Sequence, residues 1–166
     1  MNLFFLDRDF EKSAEFHCDK HCVKMLLEYS QMMSTAHQLL DQNPRPEIYK
    51  TAYANHPMTV WVRSSDEHYE HTYLLWSALH NEYQKRYQKT HKSFLRLREP
   101  LGFQPDSIPQ EGWTDPPQCM PEQYHSDDPV EAYRNYYLGD KAYFARWKFT
   151  QEPEWWNDKE ELRKSR

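Results

Sequence analysis

Residues 17–40 constrain the fold more than any other stretch, because ionisable groups recur there at helical spacing among positions that are otherwise largely apolar. At about 3.6 residues per turn, His17, His21, Lys24, Glu28, Gln31 and Thr35 share one face of a helix. Cys22, Met25, Leu26, Tyr29, Met32, Met33, Ala36, Leu39 and Leu40 fill the flanking and opposite faces. An apolar surface that wide belongs to a helix packed over most of its circumference, so the polar stripe is expected to face a cleft. A base, an amine and a carboxylate within two turns are the parts of proton-transfer or amine chemistry. The bland reading of the same residues is a salt-bridged face with Lys24 and Glu28 paired at i, i+4, as on many ordinary helices.

The rest of the chain reads as mostly α. Residues 2–6 form a short, buried extended piece, and Asp9–Phe16 a short helix. The main helix stops at Leu40, before Pro44 and Pro46. Glu47–Ala54 is read as another short helix. His56, preceding Pro57, is held extended, and Pro57 suits the first turn of the helix carrying Trp61. Ser64-Ser65-Asp66-Glu67 reads as a capping box opening a long helix to about Lys89, along which Tyr69, Tyr73, Trp76, Tyr83 and Tyr87 recur as a core stripe. The 100–128 segment, rich in proline and acidic, is expected to wrap over the helices. Asp128-Pro129-Val130-Glu131 restarts a helix, and Gly139 separates it from a last helix, Asp140–Phe149.

With 166 residues, the chain is sized for one domain that buries roughly 70% of its unfolded surface. The expected fold is all-α: a single-domain helical bundle over residues 1–150 with a long Pro-rich excursion, then a charged, frayed tail over 151–166. The 12 Tyr, 6 Trp and 8 Phe supply enough contact area to rule out disorder away from the ends.

With glycine only at Gly102, Gly112 and Gly139, neither a Walker A loop nor a dinucleotide-binding turn can be written, and no cofactor is expected. His17, Cys18, His21 and Cys22 invite a zinc reading, but the cysteines are rotated about 100° from the histidines on one helix, so no metal site is assigned. Three cysteines make no disulfide framework, and no leader or membrane span is recognised, so a reducing cytoplasm is the expected compartment. The net charge of −5 argues against a wholesale polyanion binder. Its distribution is uneven: Lys85, Arg86, Lys89, Lys92, Arg96 and Arg98 fall in a stretch without a carboxylate, interleaved with Tyr87, His91 and Phe94. Cations beside ring faces suit single-stranded or flipped nucleic acid. A solvated helix end is the alternative. Arg134, Lys141, Arg146 and Lys148 supply a second basic set.

Asn2-Leu3-Phe4-Phe5-Leu6-Asp7, Cys18-Asp19-Lys20-His21-Cys22-Val23-Lys24-Met25-Leu26-Leu27-Glu28, Asn55-His56-Pro57 with Trp61, and Glu82-Tyr83 with Arg86-Tyr87 together resemble the small phage and bacterial proteins of the pyrimidine dimer DNA glycosylase family. The resemblance covers about residues 1–90. It implies an α-helical enzyme acting on pyrimidines in DNA, in which the amine of an N-terminal threonine, exposed by removal of methionine, attacks the sugar and a helix glutamate assists; here the second residue is Asn2, a poor context for that removal. On that footing Glu28 is the candidate carboxylate, Lys24 or Lys20 a candidate amine, and Asp19, His21 and His56 complete the catalytic pocket. Arg86 and Arg134 flank it, with Lys85, Lys89, Lys92, Arg96 and Arg98 on the DNA. The resemblance also admits an amine-to-DNA transferase of thymine hypermodification. A non-enzymatic protein that binds a host factor or nucleotide is the reading from another class.

Overall fold

The computed structural model describes residues 1–158. Among them are six α-helices and no strand: α1 (Phe10–Phe16), α2 (Asp19–Leu40), α3 (Pro57–Arg63), α4 (Asp66–Tyr87), α5 (Lys92–Leu97) and α6 (Pro129–Gly139), with short 3-10 turns at Pro100–Gly102, Glu122–Tyr124 and Glu154–Asp158. The all-α single-domain expectation stands. No helix among the described residues is long and apolar enough to cross a membrane.

Two 22-residue helices, α2 and α4, make the centre. They run antiparallel, because Asp19 at the start of α2 meets Arg86 at the end of α4, while His37 near the end of α2 meets Tyr69 near the start of α4. The core between them holds Leu26, Met33, Leu75, Trp76 and Leu79, and Trp76 donates its indole N–H to Leu26 O at 2.8 Å. α1 packs on α4, and α3 and α5 pack against α2. Residues 3–6 thread into this core as an extended, almost fully buried strip. Asp9 caps α1 through its carboxylate, His56 and Pro57 open α3, and Asp128 and Pro129 open α6, all as their residue types dictate.

Three local expectations fail, each because another element claims the backbone. Residues 47–54 are not helical. Ser34 Oγ accepts from Tyr49 N, Thr35 Oγ1 bonds both N and O of Ala52, and Gln38 donates to Tyr49 O, so α2 side chains take the groups a helix would use internally. The capping box does not form: Ser65 makes no cap bond, Ser64 turns back to Trp61 O, and Asp66 N donates instead to Pro109 O of the Pro-rich excursion. After Gly139 the chain makes turns over 140–144 rather than a last helix. Its backbone is used to hold the start of α2, where Arg146 O accepts from Asp19 N at 2.8 Å and Asp19 Oδ2 accepts from Lys148 N at 2.7 Å.

The 100–128 excursion is packed onto the helices. Leu101, Ile108 and Tyr124 are buried, and the Thr114 backbone accepts from the Trp61 indole N–H and donates to His68 Nε2. At the end of the described chain, Trp156 is buried against Trp147 with ring centroids 4.7 Å apart, so the fraying expected from Glu152 does not begin there. Residues 159–166 of the expected tail lie outside the described residues.

Candidate active site

The α2 stripe does open into a concavity. A pocket of about 250 Å³ is bounded by His21, Lys24 and Glu28 of α2, His56 at the start of α3, Met1 and Phe4 of the N-terminal strip, and Cys119, Tyr136 and Lys141 of the C-terminal half. Glu28 lies at its centre of charge. Oε1 is 3.6 Å from the Met1 α-amino nitrogen and Oε2 is 3.7 Å from Lys24 Nζ. Both contacts are ion pairs longer than a hydrogen bond. Oε2 is accordingly a buried oxygen with no hydrogen-bond partner, although the Glu28 side chain is only 15% exposed. Buried polar atoms are rarely left without a hydrogen bond, and the group that faces this one is the Lys24 ammonium at ion-pair distance.

A buried polar network sets the N-terminal amine there. Ser13 O can only accept, so His17 Nδ1, 2.6 Å away, carries the proton and His17 Nε2 accepts from Tyr29 Oη at 2.7 Å. Tyr29 Oη in turn accepts from Phe4 N at 3.0 Å, and Ser13 Oγ donates to Phe4 O and accepts from Leu6 N. Burial holds His17 neutral, down at about 3, despite the Ser13 bond. Asn2 completes the anchoring: its amide donates to Cys119 O at 2.8 Å and its carbonyl accepts from Leu3 N, with the Tyr133 hydroxyl 3.0 Å away. The strip therefore cannot slide, and the amine it carries is fixed against α2.

His21 stacks on Phe4 at 4.1 Å and bonds the Tyr137 hydroxyl at 2.6 Å through Nδ1. Burial, then the neighbouring His17, Lys141, Lys24 and Lys20, hold it neutral, down at about 2. It is a hydrogen-bonding wall of the pocket at neutral pH, and a weak base. His56 Nδ1 accepts from Met58 N at 3.1 Å, which puts the ring proton on Nε2. Burial and the amino terminus lower His56 below its ordinary value.

Three residues expected at or beside this pocket, Asp19, Arg86 and Arg134, are built into the scaffold instead. Asp19 does not line it: its carboxylate bonds Arg86 Nη1 at 3.3 Å and Lys148 N. The Arg86 side chain is 0% exposed and spends its donors on Glu82, His17 O, Glu15 O and Asp19, so no N–H remains for a phosphate. Arg134 is also committed, to Leu6 O and Asp7, with its guanidinium over Phe16 and Trp155. It borders a separate, larger cavity of about 610 Å³ with Lys85. Lys89, Lys92, Arg96 and Arg98 are exposed on the end of α4 and on α5 and do not line the 250 Å³ pocket. The lysines that line the pocket are Lys24 and Lys141, the latter over the Tyr136 ring at 4.7 Å, while Lys20 lies outside the lining, over the Phe144 ring at 4.5 Å. Sequence spacing points to Lys20 and Lys24, which share α2 with Glu28. It gives no sign that Cys119, Tyr136 and Lys141 close the opposite wall. Among the described residues no group of three or more potential ligands is placed to hold a metal ion.

On this helical scaffold the Met1 and Lys24 amines are held against one carboxylate in a small pocket. The chain is a member of the pyrimidine dimer DNA glycosylase family, whose sequence model matches residues 1–95. Among curated proteins and solved structures, none matches it. The matched part contains Met1, His21, Lys24, Glu28 and His56, whereas Cys119, Tyr136 and Lys141 come from beyond it.

Proposed function

We propose that the protein excises a pyrimidine base from DNA, using an amine held against Glu28 as nucleophile and then cleaving the strand as a lyase. The observation that carries this reading is Glu28 standing between the Met1 α-amine and the Lys24 ε-amine, at ion-pair distance from both. Of the two, the α-amine is better placed, because the Lys24 side chain is 61% exposed while Met1 is fixed by the strip behind it.

With a flipped nucleotide in the pocket, the amine attacks C1′, the C1′–N bond breaks, and its electron pair leaves on the base, which takes a proton from water. Glu28 takes a proton from the attacking nitrogen and returns it to O4′ as the sugar ring opens, leaving an imine between protein and sugar. The Glu28 carboxylate, free again, then takes a C2′ proton, and the electron pair of that C–H bond forms the C2′–C3′ double bond as the 3′ phosphate leaves. His56 and His21, neutral rings on the wall, suit the carbonyl and imide edges of a pyrimidine. Lys24 and Lys141 suit the adjoining phosphates.

The test is incubation with ultraviolet-irradiated and hydroxymethyluracil-containing duplexes in the presence of borohydride, which reduces an imine to a stable bond. A covalent protein–DNA adduct is expected, with peptide mapping that places it on Met1. An adduct on Lys24 would keep the reaction and reassign the nucleophile. Intact strands without adduct on every substrate would overturn the reading. A base whose mass changes only when an activated base and an amine donor are supplied would turn it to a transferase.

A further inference from the structure

The turn after α6 presents a feature that the pocket chemistry leaves unused. Tyr143 is 77% exposed, while Ala142 and Ala145 on either side of it are buried. The turn beneath is stiff: Asp140 accepts from the Tyr124 hydroxyl at 2.6 Å, Ala145 N donates to Lys141 O at 2.9 Å, and Arg146 Nη1 donates to Ala145 O at 2.7 Å. Its next neighbour, Phe144, meets the Tyr143 ring edge-on at 4.9 Å and touches the pocket residue His21 at 5.4 Å. Among the described residues, the exposed aromatic rings also include Tyr53, Phe103, Trp113 and Phe149, yet Tyr143 alone lies within two residues of a side chain lining the pocket, Lys141.

Resting on the base-excision reading above, we propose that Tyr143 enters the duplex beside the pocket and stacks in the place vacated by the flipped nucleotide, with Lys20 and Lys141 seating the phosphates around it. A ring 77% exposed to water, with one edge contact to Phe144, has little packing to give up on binding, and apolar side chains that enter a base step offset the unstacking that flipping requires. The two lysines lie against Phe144, so cations and rings alternate along one rim, the arrangement that suits backbone and base together. Tyr143 falls outside the family-matched residues 1–95, so this device is additional to what membership implies.

The full chain and its Tyr143→Ala, Tyr143→Trp and Lys20→Ala variants should be compared on a lesion duplex, on the same lesion in a single strand, and by 2-aminopurine fluorescence next to the lesion. Tyr143→Ala should lower excision from duplex by about tenfold or more and suppress the fluorescence rise, with little change on the single strand. Tyr143→Trp should restore both. Lys20→Ala should instead weaken binding to all sequences and flatten its salt dependence, while Tyr143→Ala leaves that slope unchanged. Unchanged thermal midpoints are expected, since the ring is solvent-exposed. Wild-type excision with equal duplex rates for Tyr143→Ala would overturn the Tyr143 proposal and leave base excision standing. A Tyr143-dependent fluorescence rise without excision would do the reverse. Neither binding nor fluorescence change in the wild type would remove both.

Discussion

Glu28 and Arg86 show how similar sequence cues lead to different ends. Both are charged residues at helical spacing, but Glu28 meets two amines at the pocket through ion pairs longer than a hydrogen bond, while Arg86 is saturated on all sides. Glu28→Gln removes the charge and keeps the shape. We expect excision to fall by about 10²–10⁴-fold in protein that remains folded, since the shape is kept and only the long ion pairs to Met1 and Lys24 are lost, as checked by thermal melting. Full activity of this variant in the strand-cleavage assay would remove Glu28 from the chemistry. Arg86→Ala should unfold the protein rather than selectively weaken DNA binding. Deleting one partner of a buried ion network leaves the carboxylates of Glu82 and Asp19 uncompensated and costs about 3–5 kcal/mol, to be read by urea denaturation. Tyr29→Phe tests the positioning network: it leaves Phe4 N and His17 without their shared hydroxyl, at a cost of about 1–3 kcal/mol. A drop in kcat with little change in KM, in protein that remains folded, is the signature expected when the strip carrying the amine loosens.

At the level of elements, α2 and α4 follow their periodicity and end where local chemistry ends them. α4 stops at Gln88, which takes the left-handed conformation with φ 57°. A residue with a Cβ pays about 1 kcal/mol there, so Gln88→Gly is expected to stabilise the protein by roughly 0.5–1 kcal/mol, measured as a rise in the urea midpoint. Elements whose backbone is claimed from elsewhere do not follow local pattern. The 140–149 segment has helix-compatible residues, yet its carbonyl and amide groups at Arg146 and Lys148 serve the first turn of α2. That makes the start of α2 dependent on the C-terminal half.

The whole molecule carries several buried neutral histidines, and its stability should therefore depend on pH as a unit. Burial takes His17 down to about 3, His21 to about 2, and His71 and His80 to about 4, from an ordinary 6.5. Each binds a proton in the unfolded chain below about pH 6.5 but in the folded chain only near its lowered value. Between those limits the unfolded state holds more protons, so stability is full above pH 6.5 and falls as the pH is lowered, by about 1.4 kcal/mol per pH unit for each group. Thermal midpoints from pH 7.5 to 4.5 should decline steeply below pH 6.5. A flat profile would mean that these rings are protonated without unfolding.

The polar stripe of His21, Lys24 and Glu28, the boundaries of α2, and the His56-Pro57 entry to α3 were legible in the residues, because periodicity, proline and caps act over a few positions. The sequence alone thus determined an all-helical chain with an amine and a carboxylate on one face. Tertiary structure decided which of the stripe's neighbours complete a site. Asn2 bonds Cys119 across 117 residues of sequence, Lys141 and Tyr136 form the far wall, and Asp19 and Arg86 turn inward to each other. No local pattern encodes such choices, since they depend on which buried donors and acceptors find partners when distant segments pack.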